Sequence, residues 1–433
     1  MLKLGEKIIN QIYLGDKKIA KVFLGNKLVF QAGKPIFIEY IESTGTQYID
    51  TGINGTEVTR FVIKGTCLPS GQNNSQFLGG TQSSSYTFFG ARYRTAEMKT
   101  NWYCTNSADI SIGDPSHLSI IEATIESKTS QYGTLTDLVD GSVKEFVKFS
   151  TSQWGFPNEN LLLFGGDSQR RSPNATCYML QLYTKDGLVR DLRPCIDAKG
   201  TVCMYDMVTK KYYYNQGTGT LTAGNKINFV DYIIFDGKSY IDTGYKPNPN
   251  SSVSVTYNPH YNSVFSCIFG TQDGADTNRF YALISSTPYR VQVNSCKSST
   301  AYFGISENGL VTNSNGTFTS QQQKVELTID NYNKQISVKS DELTKTYNTE
   351  QYSSTHHTPE CRYSMLLGDR SSGGVPSTSN RFKGEIYGFE IMESGELVQD
   401  LRPCVVAGEA CFYDMVTGKI FTNTGTGTLG YTE

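Results

Sequence analysis

The residues whose types could do chemistry are few and widely spread. A glycoside hydrolase needs two carboxyl groups about 5–10 Å apart, which one strand supplies when acidic residues alternate on a single face. The nearest strings are Glu326-Leu327-Thr328-Ile329-Asp330 and Glu390-Ile391-Met392-Glu393. Neither has the Glu-x-Asp-x-(x)-Glu spacing such enzymes use, so both read as solvated charges and no catalytic residue is assigned. His356-His357-Thr358-Pro359-Glu360-Cys361 gathers metal-type side chains. Adjacent histidines on an extended chain point opposite ways, so the segment reads as an exposed loop, with no metal or other cofactor implied. Arg170-Arg171, after Gly165-Gly166-Asp167, forms a loop charge pair of the kind that grips an acidic sugar.

Sugar binding asks for an aromatic platform beside a few convergent polar groups. Trp102, Tyr103 and Trp154 are the candidates in the first half, and Tyr289 and Tyr302 lie in comparable regions of the second. Asp167 and Asp369 each follow a glycine at a strand end, where a carboxylate holds a hydroxyl or a calcium ion, or closes a turn.

The elements that must position these residues are strands. The 433 residues include Gly 41, Tyr 28 and Phe 22, a composition that favours strands and turns over helices. Short apolar runs such as Phe61-Val62-Ile63, Gln76-Phe77-Leu78-Gly79 and Leu161-Leu162-Leu163-Phe164 alternate with Gly/Ser/Asn/Thr turns. Lys324–Ile329 and Gln335–Val338 flank a turn around Asn331 and Asn333 and predict a hairpin. Evenly spaced strands without helices mean sandwiches or barrels, and units of this length suit a large jelly-roll sandwich.

One unit is used twice. Asp191-Leu192-Arg193-Pro194-Cys195, Tyr205-Asp206-Met207-Val208-Thr209 and Gly217-Thr218-Gly219-Thr220-Leu221 return as Asp400-Leu401-Arg402-Pro403-Cys404, Tyr413-Asp414-Met415-Val416-Thr417 and Gly425-Thr426-Gly427-Thr428-Leu429. The openings match too: Gln47-Tyr48-Ile49-Asp50-Thr51-Gly52 and Ser239-Tyr240-Ile241-Asp242-Thr243-Gly244. The units span 36–224 and 228–433, the second lengthened in its loops. The Asp-Leu-Arg-Pro-Cys string reads as a structural corner at which proline breaks the ladder.

A shorter repeat occupies residues 1–31. Leu4-Gly5-Glu6-Lys7, Leu14-Gly15-Asp16-Lys17 and Leu24-Gly25-Asn26-Lys27 recur every ten residues, as two-residue hairpin turns with glycine first. The segment predicts an antiparallel meander of up to four strands, apolar on both faces. So short a module cannot cover both faces alone. One face packs on the next domain or docks onto a larger assembly or sister chains, with Leu4, Ile12, Leu14, Phe23 and Phe30 as the candidate attachment residues.

Lys+Arg 39 against Asp+Glu 41 gives a net charge of −2, no basis for nucleic-acid binding. No apolar run is long enough to span a membrane, and the first residues lack the apolar core of a signal peptide. The ten cysteines divide five and five and form no C-x-x-C site, so half-buried strand thiols are the plain reading. Bridges between Cys195 and Cys203, or Cys404 and Cys411, stay open in an oxidising medium.

The Tyr-Ile-Asp-Thr-Gly openings, the Leu-Val-x-Asp-Leu-Arg-Pro-Cys strings and the Tyr-Asp-Met-Val-Thr closings resemble concanavalin A-like (laminin-G-like) domains, in the versions carried by structural proteins of phages and prophages of gut bacteria. The resemblance covers nearly all of 36–433. It implies a non-enzymatic virion component, a head or tail fibre or surface decoration, made in the bacterial cytoplasm and exposed on the particle. Its implied partners are other virion proteins, sister chains in a homo-oligomer, and bacterial surface glycans. A glycan-degrading depolymerase on the same fold is the alternative.

Overall fold

The computed structural model describes residues 35–67, 75–81, 88–94, 101–105, 119–127, 132–137, 143–147, 159–165, 174–260, 266–274, 277–286, 289–297, 303–306, 309–312, 324–339, 344–348, 358–377 and 381–432, with strands before residue 32. Before residue 35 and between 80 and 158 it describes strand backbone alone. Among the described residues every regular element is a strand. The chain divides into two compact units, Met1–Lys226 and Ile227–Glu433.

Each unit is a two-layer, all-β sandwich built from one large and one smaller sheet. In the first, the central strand Val58–Cys67 pairs with Ser119–Ser127 on one side and Asn174–Thr184 on the other. Gly187–Ile196 and Val202–Asp206 continue that sheet. In the second, Ser251–Pro259 takes the central place between Val325–Asp330 and Lys383–Glu393, followed by Glu396–Val406 and Glu409–Asp414. Both large sheets have 11 strands; their smaller partners have 5 and 9. Pairing is antiparallel almost throughout, with Ser371–Ser372 parallel to Ser266–Gly274.

Period-two alternation makes the two layers. Val253, Val255 and Tyr257 point inward and are buried, while Ser254 and Thr256 between them face out. Side chains from the two sheets meet directly, as in Phe269 against Phe389, with ring centroids 5.6 Å apart. At Gly65 the two sheets of the first unit come close, since a Cβ there would collide with the Phe77 ring of the opposite sheet. The hairpin expected around Asn331 is present, with Asp330 opposite Gln335.

The repeated closing motif is a corner held by one buried carboxylate. Asp206 Oδ1 accepts the N–H groups of Asp191 and Val208, both at 3.0 Å, and Oδ2 accepts the Thr209 hydroxyl at 2.6 Å. Asp414 does the same for Asp400, Val416 and Thr417. Asn215 and Asn423 likewise tie the glycine-rich ends to Tyr48 and Tyr240.

Two sequence expectations need correction. Proline does not break the ladder: Pro194 pairs with Met204 and Pro403 with Phe412, inside continuous strands. On its other side the neighbour strand changes, from Leu180 opposite Leu192 to Phe37 opposite Cys195, so no partner there awaits the missing N–H. Among the described residues before 32, the strands pair as three two-stranded hairpins, and no pairing joins them into one meander. Their turns fall where the repeat places them, with Leu4 opposite Lys7, Leu14 opposite Lys17 and Leu24 opposite Lys27. The side chains of Leu4, Ile12, Leu14, Phe23 and Phe30 lie outside the described residues.

Candidate functional site

The outer face of each large sheet is where the two copies part. In Lys383–Glu393 a bulge places an extra residue, Tyr387, between Ile386 opposite Tyr257 and Gly388 opposite Thr256. Tyr178 is the extra residue at the same place in the first unit, between Cys177 and Met179. Both tyrosines are turned outward against a second tyrosine: Tyr178 against Tyr40 at 5.4 Å and Tyr387 against Tyr232 at 5.1 Å. A lysine ammonium lies over each ring, supplied from the central strand in the first unit and from the residue before Val325–Asp330 in the second. Lys64 sits 5.3 Å from Tyr178 and Lys324 4.1 Å from Tyr387.

The residue after the bulge decides whether the face is open. In the second unit it is Gly388, and a trough of about 300 Å³ lies there, at the small end of the range for ligand sites. Ser254, Thr256 and Gly388 form its floor, and Lys324, Glu326, Tyr387, Glu390 and Arg402 its walls. In the first unit the corresponding residue is Met179, only 2% exposed, whose sulfur receives the Arg193 Nη1 at 3.5 Å. Lys64 stands in the place of Thr256 and is also buried. The effect on the shared arginine is large. The Arg193 side chain is 1% exposed, whereas that of Arg402 is 44% exposed.

Arg402 is positioned by two carboxylates, with Nη2 2.9 Å from Glu390 Oε1 and 3.0 Å from Asp400 Oδ2. The sequence reading made Asp191, Arg193, Asp400 and Arg402 purely structural. That fits the buried pair of the first unit, but Arg402 also borders the open trough. Beside the trough, Glu385 accepts hydrogen bonds from the Tyr387 hydroxyl at 2.7 Å and Asn258 Nδ2 at 3.0 Å, and lies 3.2 Å from His260 Nε2. Burial pulls its carboxyl upward, but these bonds outweigh it and hold Glu385 below the usual carboxylate range. Burial holds Asp400 above that range against the attraction of Arg402.

The aromatic candidates lie elsewhere. Trp102 and Tyr103 are in Asn101–Thr105 and Tyr289 begins Tyr289–Cys296, all on the smaller sheets. Trp102 pairs with Tyr93 as Val291 pairs with Ile284, and Val291 is a buried core residue. The side chains of Trp102, Tyr103 and Tyr289 lie outside the described residues, as do Trp154, Asp167, Arg170, Arg171, Tyr302, His356 and His357 altogether. Asp369 is fully buried, accepts the Arg370 N–H at 2.6 Å and binds Arg381 Nε at 2.8 Å, so it serves a protein corner. Leu163 and Leu367 occupy the same ladder position, which sets Asp369 against Gly165.

The aromatic ladder that the structure does describe is at the end of the first unit's large sheet. Phe37, Tyr205, Tyr212 and Tyr214 follow one another at 6.2, 5.0 and 6.2 Å, and Tyr214 is 43% exposed. The second unit keeps only Phe229 and Tyr413 of this row, with Ile420 where Tyr212 stands. The Tyr212-Tyr213-Tyr214 run was the available sequence signal. Among the described residues no three His, Cys, Asp or Glu side chains are grouped to hold a metal ion.

No protein-family model matches the sequence, and no curated protein does. Among solved structures the chain is similar to domains LG4-5 of the mouse laminin alpha1 chain, at 11% identity and a TM-score of 0.26, covering 84% of this chain and 92% of that one. It is also similar to the LG1-3 region of the laminin alpha2 chain, at 10% identity and a TM-score of 0.26, covering 86% and 67%.

Proposed function

We propose that this chain is a non-enzymatic binding protein whose second sandwich takes a neutral glycan in the trough above Gly388. The observation that carries this reading is the contrast between copies. The same sheet face, with the same tyrosine pair, lysine cap and Asp–Arg pair, is filled by Met179 in one and left open by Gly388 in the other. The walls match two cations, Lys324 and Arg402, against two carboxylates, Glu326 and Glu390. A balanced ring of donors and acceptors suits hydroxyl groups better than a charged ligand. About one sugar ring fits a cavity of this size.

Hydrolysis is disfavoured by the state of the carboxylates. A glycosidase needs an acid held protonated near neutral pH. Glu385 is held in the opposite direction and spends its oxygens on Tyr387, Asn258 and His260, Glu390 is paired with Arg402, and Asp400, which burial holds upward, is bound to Arg402 in the corner.

The wider setting is a virion surface, with the N-terminal hairpins attaching to particle proteins or sister chains and the sandwiches displayed to host glycans. The closing-motif resemblance to phage structural proteins supports this setting. Titrating the labelled protein with neutral oligosaccharides from bacterial surfaces tests the site. Shifts at Gly388, Tyr387 and Arg402 are expected, without release of reducing ends. Binding confined to the first unit, or hydrolysis lost on changing one Glu or Asp, would refute it. Removing residues 1–31 should leave folded sandwiches that fail to enter particles, and normal assembly would overturn the attachment role.

A further inference from the structure

Each unit carries two cysteines facing each other across its last long ladder. Cys195 is directly opposite Cys203, and Cys404 opposite Cys411. Their sulfurs are 3.5 and 3.4 Å apart, and none of the four residues is more than 1% exposed. Opposed residues in an antiparallel ladder have Cα atoms about 4.5–5.5 Å apart, inside the roughly 4.4–6.8 Å that a disulfide spans. Closing the bond therefore needs side-chain rotation and no backbone movement. Other buried thiols are aimed differently: Cys177, Cys267 and Cys361 donate to the carbonyls of Met179, Phe269 and Asn278.

We propose that these two pairs are sites of oxidative modification, each closing to a cross-strand disulfide with a low-molecular-weight disulfide of the glutathione type as oxidant. One cysteine thiolate attacks the oxidant, forming a mixed disulfide and releasing one glutathione thiolate. The second cysteine then attacks the protein-side sulfur and releases another. Each bridge thus removes two protons and two electrons from the protein and converts one oxidised glutathione to two reduced molecules.

The bridges would join the corner strand Glu396–Val406 to Glu409–Asp414, which carries the Asp414 staple, and would do the same in the first unit. Their rate is set by access. The neighbouring thiol and burial hold Cys195 and Cys404 far above the ordinary thiol range, and all four residues are closed off from a dissolved oxidant. Bridging accompanies folding in an oxidising medium, or follows slowly through local opening of the hairpin.

The test is peptide mapping of the full chain after incubation with oxidised glutathione, with and without sub-denaturing urea. Peptides joining Cys195 to Cys203 and Cys404 to Cys411 are expected, each two hydrogens lighter than its reduced form. Urea should accelerate both by at least about tenfold, and a thiol reductant should reverse the bridges together with a rise of several degrees in melting temperature. Cys203→Ser and Cys411→Ser should each delete one bridged peptide and leave the other. Should a variant fail to fold, the wild-type map still decides. Thiols that remain alkylatable after exhaustive oxidation in urea, or that pair with other cysteines, would overturn the proposal.

Discussion

Replacing Asp414 by alanine probes the repeated corner most sharply. The carboxylate is fully buried and accepts the backbone N–H groups of Asp400 and Val416, at 2.9 and 3.0 Å, besides the Thr417 hydroxyl. Alanine leaves two backbone donors inside the protein without an acceptor, each costing about 1–3 kcal/mol. The hydroxyl can turn to another partner and adds little. The expected loss is therefore about 3–5 kcal/mol. Asparagine should lose only about 1–2 kcal/mol, because its carbonyl oxygen still accepts both N–H groups and its amide can donate to Thr417. Asp206→Ala should match Asp414→Ala, since Asp206 makes the same three bonds. Urea unfolding read by hydrogen exchange in each unit measures these losses separately. An alanine variant within about 1 kcal/mol of wild type, or no gap between Ala and Asn, would refute the argument that this carboxylate holds the corner.

Three further outcomes follow from the same contacts. Gly388→Met should fold normally, because the new Cβ meets only Arg402 Nη1 at 3.7 Å and the Leu401 carbonyl at 4.0 Å, and should reduce glycan affinity at least about tenfold by titration calorimetry. Met179→Gly should expose Arg193 and destabilise the first unit by about 2–4 kcal/mol in the same unfolding assay, as a large buried side chain is lost. Glu385→Gln should destabilise the second unit in full above the ordinary carboxylate pKa of about 4.3 and progressively less below it. A depressed pKa contributes stability present above the unfolded value and lost as pH falls through the folded one, so thermal melts of variant and wild type should converge on acidification.

Much of the fold was legible in the sequence because it rests on local alternation and on motifs that recur whole. The Asp-Leu-Arg-Pro-Cys string lies in a strand, the Tyr-Asp-Met-Val-Thr string marks a strand end and its turn, and the two-residue turns set the hairpin registers. The ladder around proline was misread because pairing depends on which neighbour lies beside Pro194, and no local pattern carries that. The glycine before Asp369 has no glycine at its place in the first unit's ladder: Gly368 stands where Phe164 does, and both have positive φ, 84° and 60°. Their N–H groups make the same bond, to Ile268 and Phe77 carbonyls at 2.7 Å. The trough was invisible for a different reason. It arises from a missing side chain at Gly388 beside a bulge, and sequence patterns report the groups that are present. The bulge also turns Glu385, Tyr387 and Gly388 outward together, a grouping that strict alternation would not yield.

The most direct measurement is a titration of wild type, Gly388→Met and Met179→Gly with neutral surface oligosaccharides, following backbone resonances in both units. Wild type should show shifts at Gly388, Thr256 and Arg402 in the second unit, and the methionine variant should lose them while keeping its fold. Equal binding by wild type and Gly388→Met, or shifts that avoid this face, would contradict the assignment of the trough as the glycan site.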